Sequence, residues 1–141
     1  MTDMLILDTG VFLNILAGSD TEGRVYQKII RRFDRVAIHE ELLDEYKTTL
    51  ATKFSGLVPY MITTRLSELS SYNKVVKVPA IDKPLLDIDE EDRHVVSAAK
   101  SARAKYLITS DQRHLWNNRN HIKASHHIEV LRPVDYIALP E

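Results

Sequence analysis

The chain contains no cysteine, which excludes a disulfide framework and thiolate metal sites. It has only four glycines and five prolines among 141 residues, and no segment reads as a linker or a low-complexity tract. No apolar run approaches the roughly 20 residues that span a bilayer, and no basic segment of a secretory signal opens the chain. We therefore expect one cytoplasmic domain, residues 1–141, with no membrane partner.

The charge balance also excludes a generic nucleic-acid binder that depends on an overall positive charge. Nineteen basic and twenty acidic residues give a net charge of −1, which is not the overall basic balance of a generic nucleic-acid binder. The composition, 44% hydrophobic and 28% charged, is that of a globular protein. Recognition of a charged partner must therefore depend on local patches.

Short apolar runs alternate with amphipathic segments along the chain. Strands are predicted at 4–7, 36–38, 74–78, 106–109 and 128–131. Helices are predicted at 11–17, 21–33, 40–51, 57–69, 89–104 and 112–116, with a loop at 79–84. In the helix at 21–33, the apolar stripe is Val25, Ile29 and Phe33. This alternation predicts a three-layer α/β/α fold with a central, mainly parallel sheet of about five strands.

Two predicted strands end directly at a carboxylate. Asp8 follows the strand at 4–7, and Asp111 follows the strand at 106–109. Ligands of open parallel sheets bind outside the carboxyl ends of the strands, so two acids at that edge indicate a metal or proton site. Either residue also suits a helix N-cap. The residues alone leave the two interpretations balanced.

Two further acids lie on predicted helices. Asp92 falls on the apolar face, between Val95 and Val96 in projection, where a carboxylate is costly unless it is paired or metal-bound. A first-turn acid curling into solvent is the alternative for Asp92. Glu45 lies at the edge of the stripe of the helix at 40–51 and by itself reads as a boundary residue. Four oxygen ligands without a thiol suit Mg²⁺ or Mn²⁺, which serve phosphoryl chemistry.

The order and spacing of four segments resemble the PIN domain family. The segments are LILDTGVFL (5–13), VAIHEELLDEY (36–46), DIDEEDRHVVSAA (87–99) and YLITSD (106–111). The resemblance, over roughly residues 4–131, implies a single-domain ribonuclease dependent on Mg²⁺ or Mn²⁺, of the VapC-like toxin type. It also implies RNA as substrate, an antitoxin protein as a partner, and a homodimer, for which the apolar residues between 57 and 62 would be available.

The resemblance further assigns residues to the site. It implies that Asp8, Glu45, Asp92 and Asp111 bind the metal, and that an activated water leaves 5′-phosphate and 3′-hydroxyl ends on the RNA. Supporting positions beside the acids are Thr9, Asp89, Thr109 and Ser110, although Asp89 also suits an N-cap. Two positions depart from the family pattern: Gly10 stands where Asn or Ser is frequent, and Ser110 where Gly is frequent.

Several basic and histidine residues are candidates for substrate contact. Arg93 and Arg113 stand within two residues of a proposed ligand and could bind a phosphate, and His114 is a candidate neighbour of the site. A basic face on the helix at 21–33 reads equally as a phosphate-tracking surface or a solvated face; it comprises Lys28, Arg31, Arg32 and Arg35. The histidines show no i, i+4 pair of a zinc hydrolase and are interpreted as surface or RNA-facing.

Other classes of function remain as alternatives. A PIN-fold RNA-binding module with little catalytic turnover, in RNA processing or ribosome assembly, is compatible with Gly10 and the neutral charge. A response-regulator receiver requires paired acids after the first strand, and a haloacid-dehalogenase-like enzyme requires a second acid two residues after Asp8. Asp8-Thr9-Gly10 meets neither requirement.

Overall fold

The structure is a computed structural model that describes most of the chain. The described residues are 3–16, 20–38, 75–77, 87–88, 92–111 and 113–141, together with the single residues 48, 64 and 67. Within these ranges the strands are β1 (Met4–Leu7), β2 (Arg35–Ile38), β3 (Val75–Lys77), β4 (Tyr106–Ile108) and β5 (Glu129–Leu131). The helices are α1 (Thr9–Leu16), α2 (Asp20–Arg32), α3 (Arg93–Ser101), α4 (Arg119–His126) and α5 (Pro133–Ile137).

The five strands form one parallel sheet in the order β3-β2-β1-β4-β5. The central strand β1 pairs with β2 on one side and with β4 on the other, where Leu7 lies opposite Ile108. Leu5, Ile6 and Leu7 are at most 1% exposed, as expected for a strand covered on both faces. The predicted parallel α/β fold is confirmed.

The strand order places a crevice between β1 and β4. From β1 the chain moves one way across the sheet to β2 and β3, whereas β4 and β5 lie on the other side of β1. Right-handed connections therefore put α1 and α2 on one face of the sheet and α3 and α4 on the other. Helix α3 packs against β1, β2 and β4, and α1 packs against α2. Ligands of such sheets bind where the order reverses, outside the carboxyl ends of the strands.

Helix α2 begins and ends close to its predicted bounds, but Phe33 does not belong to its buried stripe. Val25 and Ile29 are fully buried, whereas Phe33 is 65% exposed. The helix ends at Arg32, and Phe33 takes a left-handed conformation with φ of 58°. The amides of Phe33 and Asp34 donate to the carbonyl oxygens of Ile30 and Ile29, at 3.1 and 3.0 Å. This left-handed helix end turns the ring away from the core.

The helices near the site begin at residues other than the predicted ones. Helix α1 begins at Thr9, two residues before the predicted start, and α3 begins at Arg93 with Asp92 as its N-cap residue. The predicted helix at 112–116 is wrong, because residues 113–118 form turns. The predicted elements at 40–51, 57–69 and 79–84 lie outside the described residues, apart from three single helical positions at 48, 64 and 67.

Two short helices were not predicted. Helix α4 has one buried apolar residue, Ile122, so its sequence shows no helical periodicity. Helix α5 carries a signal that could have been used: Pro133 stands at its start, and the Asp135 carboxylate accepts from the Arg132 amide at 3.0 Å. Proline in the first turn and an acid three residues after the N-cap both mark helix starts.

The basic face predicted on α2 is not a surface for phosphates at two of its four positions, and a third, Arg35, lies in β2 instead of on the helix. Lys28 and Arg32 are 3% and 5% exposed. The Lys28 ammonium donates to the carbonyl oxygens of Ile137 and Leu139, and burial lowers its pKa. This face was predicted to be exposed, either to phosphates or to solvent. That prediction is wrong for Lys28 and Arg32, whose side chains donate hydrogen bonds to the C-terminal segment. In the described part of the chain, no helix is long and apolar enough to cross a membrane.

Candidate metal centre at the carboxyl edge of the sheet

Asp8 occupies the junction between β1 and α1. Its backbone amide donates to the carbonyl oxygen of Ile108 at 2.9 Å, which continues the pairing of β1 with β4 by one residue. Its own carbonyl oxygen accepts from the Phe12 amide at 3.1 Å and so starts α1. The backbone of Asp8 is therefore fixed on both sides, and its half-buried side chain lies at the crevice.

Thr109 connects Asp8 with Asp111. Its hydroxyl donates to Oδ2 of Asp8 at 2.9 Å and accepts from the backbone amide of Asp111, also at 2.9 Å. The residue is fully buried, and its amide donates to the carbonyl oxygen of Leu131 on β5 at 2.9 Å. One threonine thus holds the side chain of one acid and the backbone of the other.

Asp111 fixes the turn that follows β4. Its Oδ1 accepts from the amides of Arg113 and His114, at 3.0 and 3.3 Å. The capping role considered for this acid is therefore real, although it caps a turn and no helix. A carboxylate has two oxygens, so capping through Oδ1 is compatible with metal coordination through Oδ2. The two interpretations of Asp111 do not exclude each other.

Asp92 is buried at the start of α3. It is 9% exposed, and its side chain makes no cap hydrogen bond to its own helix. It lines a cavity of about 100 Å³ together with Asp87, His114, Asn118 and His121, among others. An acid curling into solvent is excluded by this burial. A buried carboxylate that faces a small polar cavity is suited to a bound cation.

The three described acids are not in direct contact as a group. Among the described residues, the ligand atoms that all lie within 4.8 Å of one another belong to Asp87, His121 and His126. Asp8, Asp92 and Asp111 are therefore spaced more widely. Wide spacing still fits Mg²⁺, which keeps several of its waters and binds through one or two carboxylates directly. The donor chemistry of the edge, oxygen without sulfur, fits a hard divalent ion.

Part of the predicted site lies outside the described residues. This holds for Glu45, for Asp89 and for the side chain of Thr9. Ser110 is exposed, and its Oγ would lie 3.4 Å from a Cβ added at Gly10. The two departures from the family pattern are thus neighbours in space. The Ser110 hydroxyl stands beside the position where Gly10 offers no side chain.

The residues predicted to contact substrate have different surroundings. Nε of Arg93 donates to the carbonyl oxygen of Ile88 at 2.9 Å, so part of this guanidinium holds the segment before α3. Arg113 is exposed beside Asp111, and His114 is half-buried at the cavity of Asp92. Trp116 packs against the core, and Arg119 and Arg132 lie 4.1 and 4.4 Å from its ring centroid.

Sequence reasoning missed a second group beside this site. Nε2 of His121 and Nε2 of His126 lie 2.8 and 2.7 Å from Oδ2 of Asp87. The prediction that the histidines are surface residues is wrong for His126, whose side chain is 6% exposed. The two hydrogen bonds lower the pKa of Asp87 to about 2. The five-residue spacing of the histidines on an unpredicted helix gave no usable signal, and Asp87 is 34 residues from His121 in sequence.

Comparisons with known proteins agree with this architecture. The structure is similar to the crystal structure of VapBC2 from Rickettsia felis bound to a DNA fragment from their promoter, with a TM-score of 0.59 and 13% identity. The similarity covers 92% of this chain and 98% of the other. No curated protein matches the sequence. The family model described as PIN domain matches residues 4–113, a range that runs from β1 to Arg113 and includes all four proposed ligands. The chain therefore belongs to the PIN domain family.

Proposed function

We propose that the chain is an endoribonuclease that depends on Mg²⁺ or Mn²⁺ and hydrolyses RNA phosphodiester bonds. The observation that carries the proposal is the Asp8–Thr109–Asp111 connection, which holds two acids at the reversal point of the sheet. Membership in the PIN domain family supports a nuclease. The metal ligands in this proposal are Asp8, Glu45, Asp92 and Asp111.

The acids and their neighbours would have different roles in the reaction. A divalent cation at this edge would polarise the scissile phosphate and lower the pKa of an attacking water. Thr109 orients the Asp8 carboxylate at the carboxyl edge of the sheet through its hydroxyl. Asp111 is fixed by the turn that it caps, and Asp92 supplies a negative charge from a buried position. Fixed ligands of this kind need little reorganisation during the reaction.

Substrate binding would come from cations beside the acids. Arg113 is exposed next to Asp111, and its planar guanidinium suits bidentate contact with a phosphate. Arg93 retains further N–H donors after its bond to Ile88, and His114 lines the cavity of Asp92. Thr9, Asp89 and Ser110 would complete the surroundings of the ligands. Local cations of this kind are needed because the net charge of the chain, −1, does not attract RNA.

We also propose a role as the toxin of a toxin–antitoxin pair, and this proposal is based on the structural similarity to VapBC2. The similar solved structure is a VapBC2 complex, and we extend its pairing with a second protein to this chain as part of the proposal. A homodimer, with the apolar residues 57–62 at its interface, is also proposed. A clean monomer in gel filtration at micromolar concentration would contradict the homodimer. The alternative of an RNA-binding module with little catalytic turnover is an outcome of the cleavage test below.

The proposal is tested by cleavage of single-stranded RNA with Mn²⁺, with and without EDTA. The wild type is expected to cleave only with the metal and to leave 5′-phosphate ends. Asp8→Asn keeps the size of the side chain but removes its charge, and should lose at least about a hundredfold in rate, as expected when a charge-stabilising group of an active site is removed. In cells, expression of the wild type should arrest growth, and expression of the variant should not.

Asp20→Asn is the matched control, because it makes the same chemical change at an acid whose side chain is 97% exposed on α2. It should cleave RNA like the wild type. Equal cleavage by the wild type and Asp8→Asn would sink the nuclease proposal. Metal binding and RNA binding without any cleavage would establish the RNA-binding module in its place.

A further inference from the structure

A second candidate metal site lies at the cavity of Asp92, and none of its residues is among the four acids of the proposed nuclease site. It consists of Asp87, from the segment before α3, and of His121 and His126, from α4. Both imidazoles present Nε2 to the same carboxylate oxygen, at 2.8 and 2.7 Å. All three ligand atoms lie within 4.8 Å of one another. One carboxylate and two imidazoles form a complete set of protein ligands for an open zinc-type site.

His126 is held in a buried position at this cluster. Its side chain is 6% exposed, and its Nδ1 atom is buried without a hydrogen bond to any described residue. The polar contact that its ring makes is the one to Asp87. Burying an imidazole is unfavourable unless its polar atoms are used. The ring reaches the cluster through Nε2, so this buried nitrogen is the atom that is available to a metal ion.

His121 has the arrangement of a metal-binding histidine. Its Nδ1 lies 3.5 Å from the hydroxyl oxygen of Ser125, which can accept a proton held at Nδ1. That tautomer leaves the lone pair of Nε2 available toward Asp87. Metal-bound histidines use their second nitrogen in this way, and the partner fixes the orientation of the ring.

The geometry requires only a small adjustment to accept an ion. Ligand atoms about 2.0 Å from a tetrahedral ion lie about 3.3 Å apart. The oxygen–nitrogen distances of 2.7 and 2.8 Å would therefore widen by roughly half an ångström. Asp87 and His121 can move, since their side chains are 40% and 47% exposed. Both also line the cavity of about 100 Å³, from which a water can complete the coordination.

We propose that Asp87, His121 and His126 bind a transition-metal ion of the Zn²⁺ type. The mixed nitrogen and oxygen ligands favour such an ion over Mg²⁺, which takes oxygen ligands. The bound ion links α4 to the segment that leads into α3, where Ile88 accepts from Arg93. It thereby fixes the start of the helix that carries Asp92. The proposal does not depend on the nuclease, since it uses none of the four acids assigned to that activity.

The test is titration of the metal-stripped protein with Co²⁺, followed by visible absorption. Excess Mg²⁺ is present throughout, so that the oxygen site is occupied. The wild type should bind one equivalent and show the absorption of four-coordinate Co²⁺ with nitrogen ligands. Zn²⁺ should abolish the signal by displacement and should raise the melting temperature. Asp87→Asn, His121→Gln and His126→Gln should each weaken Co²⁺ binding at least about tenfold.

His127→Asn is the control. His127 ends α4 with φ of 59°, a conformation that Asn tolerates, and its side chain is exposed. This variant should bind Co²⁺ like the wild type, and so should Asp8→Asn, which separates the result from that of the nuclease test. Asp87→Asn and His121→Gln change exposed residues and should fold normally, so a folding defect of His126→Gln leaves the test intact. Wild-type protein without the Co²⁺ spectrum, or Asp87→Asn with wild-type affinity, would overturn the proposal.

Discussion

Thr109 is the residue on which the geometry of the candidate nuclease site depends most. Its hydroxyl uses one hydrogen bond to hold the Asp8 side chain and another to hold the Asp111 backbone. Thr109 is fully buried and both partner residues are half-buried, so a group left without its partner there is costly. The pair of acids is therefore set by a side chain that carries no charge and binds no metal in the proposed mechanism.

Replacing this hydroxyl gives a prediction at the residue scale. Thr109→Val keeps the shape but leaves the Asp111 amide without its acceptor and Asp8 without its donor. We expect a loss of about 1–3 kcal/mol in the free energy of unfolding and a fall of roughly tenfold in the RNA cleavage rate, since a poorly oriented group loses catalysis. Urea unfolding and steady-state kinetics measure the two effects. Thr109→Ser keeps the hydroxyl and should restore most of the rate; full activity in Thr109→Val would refute this role.

At the scale of elements, α2 and α5 are joined by a buried polar network. Asp34, directly after α2, accepts from Nε of Arg32 at 2.8 Å and from the hydroxyl of Tyr136 at 2.6 Å. Arg32 also donates to Asp3 at 2.8 Å and to the carbonyl oxygen of Pro140. Burial is the main reason that the pKa of Tyr136 is raised, so the phenol stays a donor across the physiological range. The network joins both ends of the described chain to one helix.

Removing the Tyr136 hydroxyl tests this network. Tyr136→Phe leaves the ring in the core but removes one donor from the Asp34 carboxylate. Hydrogen bonds to charged groups contribute about 1.5–3 kcal/mol, and we expect a loss of about 2 kcal/mol in unfolding free energy by urea titration. The control on the same helix is Val134→Ala, at a residue 54% exposed, which should change stability by less than about 0.5 kcal/mol. Equal stability of Tyr136→Phe and wild type would show that the network does not stabilise the fold.

At the scale of the whole molecule, the fold was predictable from local pattern and the polar contacts were not. The strands were found because buried parallel strands are continuous apolar runs, as in Met4–Leu7. Asp8 and Asp111 were found because they end two such runs. The roles of Lys28 and Arg32 were missed, since their partners at 137–140 are about 110 residues away in sequence. Asp87 and its histidines were missed for the same reason.

The central claim is that the acids at the carboxyl edge of the sheet bind one cation together. Asp92 tests it best, because it stands at the start of α3, whereas the Asp8–Thr109–Asp111 connection stands at the ends of β1 and β4. The measurement is Mg²⁺ titration by calorimetry of the wild type, Asp92→Asn and the Asp20→Asn control. Mg²⁺ takes oxygen ligands, so the Asp87 and histidine group does not contribute. The account predicts binding at least about tenfold weaker in Asp92→Asn and unchanged in the control, as for loss of a metal contact. Identical Mg²⁺ binding by Asp92→Asn and wild type, or none by the wild type at millimolar concentration, would contradict it.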